Sequence, residues 1–300
     1  MTALPSTGRR LLTEPFAVGR LTLPPPGIVL LAAIGSVLLL VTAVTRWATP
    51  SDEHAYWLAA RRLVDGLPLY DPAATSVTPY AYWYPPVVAQ VLVPVALVLP
   101  ELWFTGAWTV LMLGCLWWLG GRNVLVALAL VAFPPVAVEF WFRNIHLVLA
   151  ALLVLSTRRA WLVPVGAAIK LSPGLGLAWL AAAGRWRDTF VAAGVGLVIL
   201  AASVVISPAA WGDWISIAMS RGPGDVASFL PIPFAVRAVA GLAVALLAGR
   251  LRSPWSEVLL VVAVTVALPT LWFTALSLLI AVVPMWRRHG ASAPAQERPA

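Results

Sequence analysis

Between two long apolar stretches, residues 51–72 read SDEHAYWLAARRLVDGLPLYDP. Asp52, Glu53, His54, Arg61, Arg62, Asp65 and Asp71 crowd into this one segment of a chain otherwise poor in charge. A carboxylate such as Asp52, with Glu53 as a possible second acid, can take the proton from an attacking hydroxyl, typically a contribution of about 10²–10⁴ in rate. Acids in the first turn of a helix also have a purely local role, since its dipole favours them by about 0.3–1 kcal/mol. What favours chemistry is position: this is the densest polar cluster in the chain, directly after an apolar span. Arg61 and Arg62 could hold a phosphate as a pair, or contact anionic lipid.

Lys170 is the only lysine in the chain, set in WLVPVGAAIKLSPGLGLAWL (161–180). A cation at the bilayer centre costs about 2.5–3.5 kcal/mol on insertion scales, so such a residue normally faces a polar cavity. Ser172, Pro173 and Gly174 follow at once and suggest a broken helix whose exposed backbone lines a site. A lysine snorkelling to an interface is the plainer alternative. Asn144 and His146, in FWFRNIHLVL (140–149), open another apolar span beside Arg143. Tyr56, and Tyr84 within YAYWYPPVV (80–88), add aromatic rings that could border a sugar or belong to an interfacial belt.

The elements that must carry these groups follow from composition. The chain has 300 residues, 61% hydrophobic and 11% charged, with mean hydropathy +0.90. A soluble domain is about 45–50% apolar and about 25% charged, so the expected fold is all-α: a polytopic transmembrane bundle of roughly 8–10 helices. Candidate spans are 27–45, 85–100, 103–120, 123–142, 144–157, 160–183, 188–206, 231–249, 255–270 and 271–286. The net charge of +8 is carried by arginine clusters between spans: Arg9/Arg10/Arg20, Arg158/Arg159, Arg185/Arg187, Arg250/Arg252 and Arg287/Arg288. That is the positive-inside pattern of cytoplasmic loops, not a nucleic-acid footprint. Three regions result: a cytoplasmic segment 1–26, a transmembrane domain 27–286 with external loops 46–84 and 207–230, and a disordered cytoplasmic tail 287–300. Arg122 breaks the pattern, because a strict zigzag of the spans places it outside.

Within the first external loop, Ser51 reads as an N-cap, Gly66 and Pro68 as a stop, and Tyr56, Ala59, Ala60 and Leu63 recur at helical spacing. An amphipathic helix on the membrane surface is expected there, and the loop 207–230 could close over it. Cys115 is the single cysteine and excludes an intramolecular disulfide. No Gly-rich nucleotide loop and no His/Cys cluster at metal-ligand spacing occurs. No cofactor is therefore expected, and a divalent metal is left open.

With these residues in view, the chain resembles glycosyltransferase family 87, the polyprenyl-phosphate-mannose-dependent glycosyltransferases of the GT-C superfamily. The likeness runs through Asp52, Tyr56, Ala59/Ala60, Gly66, LPLYDP (67–72) and YWYPP (82–86). It continues with Asn144, IKLSP (169–173) and SPAAWGDW (207–214), covering roughly residues 27–286. In PTLWFTA (269–275), Thr274 and Ala275 stand where the family often has His and Tyr. The resemblance implies a GT-C-like bundle in which Asp52 is the catalytic base of an inverting transfer. Lys170, with Arg61 and Arg62, would contact the donor phosphate, and Tyr56, Tyr84, Asn144, His146 and Thr274 would line the substrate cavity. The implied partners are a polyprenyl-phosphate-linked sugar donor, with mannose the family default, a lipid or glycan acceptor, and membrane lipids. The implied place is a bacterial plasma membrane, with the active site facing outside. Two other readings stay open: a transporter or flippase of a lipid-linked or small substrate, with Lys170 at its midplane, and a non-catalytic paralogue.

Overall fold

The computed structural model describes residues 14–18, 21–71, 74, 78, 80–220, 228 and 230–290. Arg9, Arg10, Arg20, Pro72, much of 221–229 and the tail 291–300 lie outside the described residues. Apart from one short antiparallel hairpin, β1 (Phe16–Val18) against β2 (Leu21–Leu23), the described chain is helical.

Helix α1 (Pro26–Arg46) starts at a proline, whose missing N–H costs nothing in a first turn. Most of its apolar side chains face outward; only Ala32 and Gly35 are buried. A Cβ at Gly35 would fall 1.8 Å from the Leu128 carbonyl oxygen, so glycine alone allows this approach, as small residues do between membrane helices. Helix α2 (Asp52–Val64) is the expected amphipathic helix. Ser51 occupies the N-cap position, but its hydroxyl caps nothing; Asp52 and Glu53 supply the negative charge at that end. Gly66, at φ +69, ends the helix, with Leu67 N–H donating to the Arg62 carbonyl over 2.8 Å. The buried face of Ala55, Tyr56, Ala59 and Ala60 packs mainly on α3 (Pro86–Val98) and then α4 (Glu101–Leu119), so protein rather than lipid receives it.

The stretch 85–100 does not form a full span. Helix α3 has 13 residues, with Pro94 inside it, and both its ends are tied to α2. Tyr84, just before it, accepts a hydrogen bond from Tyr56 over 2.7 Å. Beyond it, the Leu99 carbonyl accepts from Trp57 Nε1 over 3.1 Å, and Glu101 lies 2.6 Å from His54. Helices α5 (Val124–Val131) and α6 (Pro134–Phe142) meet at 87°. The pair Pro134–Pro135 forces that break, since proline excludes the preceding residue from helical geometry. Helix α7 (His146–Ser156) follows.

The segment 160–183 is a hairpin. Helix α8 (Val163–Ile169) runs out, the backbone turns extended at Lys170, a 3-10 turn covers Ser172–Gly174, and α9 (Leu175–Ala182) returns. Gly166 lies against Pro173 and Gly176 against Val163, with distances of 3.0 and 2.9 Å from where a Cβ would stand, so small residues let the arms close. Arg185 Nη1 donates to the Thr157 carbonyl over 2.9 Å and joins the two ends, leaving Lys170 at the tip.

Helix α10 (Trp186–Ile206) leads to α11 (Pro208–Ser220), where Trp214 Nε1 donates to the Trp83 carbonyl over 3.4 Å. The second loop thus touches the first. Helices α12 (Phe234–Gly249) and α13 (Trp255–Val266), a 3-10 stretch Phe273–Ala281, and α14 (Val282–Gly290) complete the fold. Buried Arg237 donates to the carbonyls of Ile232, Val266, Leu268 and Pro269, satisfying the backbone where α13 breaks off.

Among the described residues, α1, α4 and α10 are individually long and apolar enough to cross a membrane, and α5 with α6 makes a fourth crossing if the bent pair counts as one. The remaining expected spans resolve into shorter helices. The Arg122 conflict disappears as well. Arg287 Nη1 donates to Gly120, Arg288 Nη2 to Val154 and Arg185 to Thr157, which gathers the turns near 121, 158, 186 and 288 at one end. A zigzag that leaves out 85–100 as a crossing puts Arg122 at the same end as these turns.

Candidate active site

The site begins with Arg143, the residue after α6, held at φ +47. This left-handed turn aims its guanidinium back at the α1–α2 connection, where Nη1 donates to the Arg46 carbonyl over 3.0 Å and Nη2 to that of Thr49. Its Nε lies 2.8 Å from Glu53 Oε1, both side chains being buried, and Thr105 Oγ1 donates to the same oxygen over 3.3 Å. Arg143 therefore sets the start of α2. Glu53 is its buried counter-charge.

Asn144, next in sequence, then meets Asp52: its Nδ2 donates to Asp52 Oδ2. Its Oδ1 accepts from the Ile145 N–H over 2.7 Å and lies 3.5 Å from both the Tyr56 and Tyr84 hydroxyls. Behind them stands a second chain of contacts. Glu139 Oε1 accepts from the His146 N–H over 2.6 Å, and Oε2 is 3.0 Å from His146 Nδ1. His146 Nε2 is 2.8 Å from Lys170 Nζ, which sits 5.4 Å from the centre of the Tyr84 ring. Glu139, Arg143, Asn144 and His146 are buried, whereas Asp52, Tyr84 and Lys170 are partly buried. An acid and a cation are thus presented together, with their supports packed behind.

The electrostatics match this geometry. Burial raises the Asp52 carboxyl from 3.8 to about 6; the Asn144 hydrogen bond opposes that rise, Glu139 adds to it, and Lys170 opposes it. Burial also raises the Tyr56 and Tyr84 phenols, which stay neutral donors.

Of the residues singled out from sequence, Asp52, Tyr56, Tyr84, Asn144, His146 and Lys170 come together. His146 is wholly buried with both ring nitrogens engaged, so it supports the site rather than lining it. Arg61 and Arg62 stand apart. Nine and ten residues beyond Asp52 on one helix is about 14 Å at 1.5 Å per residue. Arg61 pairs with Asp65 at 3.1 Å, and Arg62 Nε donates to the Pro68 carbonyl over 2.6 Å. Arg62 instead borders a small cavity along Ala55, Ala59, Tyr70 and Tyr82. Thr274 is buried in the 3-10 stretch against α6 and α7, and among the described residues it makes no hydrogen bond to the cluster. Glu139 was missed. The signal for it was the rule applied to Lys170, a lone ionisable group in an apolar span. No group of three or more His, Cys, Asp or Glu able to hold a metal occurs among the described residues.

The sequence model of glycosyltransferase family 87 matches residues 82–296. The chain belongs to that family and is a membrane glycosyltransferase. Residues 1–81, with Asp52, precede the matched region. No curated protein and no solved structure matches the chain.

Proposed function

We propose that this glycosyltransferase moves a sugar, mannose by family resemblance, from a polyprenyl-phosphate donor to a lipid or glycan acceptor, with inversion. Asp52 is the general base. With Oδ2 held by Asn144, Oδ1 would take the proton of the acceptor hydroxyl while that oxygen attacks the anomeric carbon. The bond from that carbon to the phosphate oxygen breaks, and the lipid phosphate leaves with the electron pair. Lys170 would neutralise the charge that develops there, an electrostatic role that commonly supplies much of the rate. The observation carrying this reading is that Asp52 and Lys170, 118 positions apart in sequence, come together about Asn144 and Tyr84.

The arginine-rich turns support a cytoplasmic placement of their end of the molecule by the positive-inside rule. Asp52, beyond the other end of α1, would then face outside, as in a bacterial plasma membrane. The small cavity along Ala55 and Ala59, on the same face of α2 as Asp52 and with aromatic rings beside it, is where the acceptor would approach.

The test is transfer by purified protein from labelled polyprenyl-phosphate mannose to a panel of glycan and lipid acceptors, with and without a divalent cation. NMR of the product should show the anomeric configuration inverted. A retained configuration, or transfer only from soluble nucleotide sugars, would refute the reading.

A further inference from the structure

Three groups lie in line: Glu139 on α6, His146 at the start of α7, and Lys170 at the hairpin tip. Glu139 Oε1 accepts from the His146 N–H, Oε2 lies against its ring Nδ1, and the Leu147 N–H also donates to the carboxylate. Capping the helix would need only the first contact, since that N–H belongs to the unsatisfied set at any helix start. The second has a different consequence. With Glu139 ionised, its carboxylate only accepts, so Nδ1 would carry the imidazole proton and Nε2 would turn its lone pair to Lys170 Nζ. The ammonium has three N–H groups. One goes to His146, and the Tyr84 ring face beside it favours a cation.

We infer that Glu139 and His146 are positioning residues that hold Lys170 as an aimed ammonium, with its remaining N–H groups presented to the donor phosphate. This rests on the reading of Lys170 as the donor-phosphate site. Glu139 is the remote counter-charge of the cation, and the imidazole between them fixes its direction. The charged groups bordering Lys170 are then Glu139 through His146 on one side and Asp52 on the other. A phosphate arriving at Lys170 meets a cation whose direction is already fixed from behind.

The experiment measures binding of a sugar-free polyprenyl phosphate to purified protein in detergent, with folding followed by thermal unfolding. Glu139→Gln keeps the shape and an oxygen for the His146 N–H but removes the charge. It should weaken binding about 10–100-fold, the size of effect that supporting partners of ligating histidines have at metal sites. Lys170→Met should lose a similar amount, and the double variant no more than either alone, because both act on one contact. Glu139→Asp, which retains the charge, should bind close to wild type. If Glu139→Gln does not fold, His146→Gln breaks the same line and should show the same loss. Wild-type binding by Glu139→Gln beside a weakened Lys170→Met, or losses that add in the double variant, would overturn the inference and leave the phosphate site standing. Wild-type binding by Lys170→Met would overturn both.

Discussion

Asp52 is the group whose chemistry is most directly exposed to measurement. Its carboxyl, raised to about 6 mainly by burial, must be ionised to act as a base. The transfer rate should therefore rise with pH through about 6 and level off above it. Asn144→Leu removes the donor that favours the carboxylate and should move that limb to higher pH, as rate–pH profiles of both proteins would show. Stability runs the opposite way. The folded protein holds this proton more tightly than an unfolded chain, where the ordinary value is 3.8, so stability falls as pH rises between about 4 and 6. Asp52→Asn removes that cost and should raise the Tm at pH 8 while abolishing most activity. Sequence made Asp52 and Lys170 legible because each is out of place by composition. It did not separate Arg61 and Arg62 from that pair, because closeness in sequence is not closeness in space: along one helix they lie about 14 Å from Asp52.

The elements around the site share one apolar core, and single polar residues fix how their ends meet. Arg143 ties the end of α1, the loop at Thr49 and the start of α2 at once, and it is the neighbour of the residue that holds Asp52. Removing one partner of a buried ion pair leaves the other uncompensated, at a cost of about 3–5 kcal/mol. Arg143→Met should lower stability by that order in thermal or chemical unfolding, and adding Glu53→Gln should restore part of it. Helix α2 was legible from its spacing, stop signal and charge, and the hairpin at 160–183 from its Lys-Leu-Ser-Pro-Gly interruption. The true length of α3 and the bend between α5 and α6 were not. Hydropathy counts apolar residues but does not register which ends of a helix are tied to the same neighbour.

Across the whole molecule, the basic turns collect at one end and the Asp52 cluster lies beyond the other end of α1. The all-helical membrane character was plain from composition alone. The number of full crossings was not, since several apolar stretches are half-length pieces packed on one another. In a Cys115→Ser background, a cysteine at Asp65 should react with a membrane-impermeant maleimide in intact cells. Cysteines at Arg122 and Arg158 should both react only after permeabilisation. Labelling of Arg122→Cys from outside would restore the crossing at 85–100. The most direct measurement of the whole scheme is single-turnover transfer by Asp52→Asn at saturating lipid-linked donor, with donor binding followed in parallel. Donor binding close to wild type and a rate lower by about 10²–10⁴ are expected of a lost general base. Transfer at the wild-type rate would remove Asp52 from the chemistry, and with it the site described above.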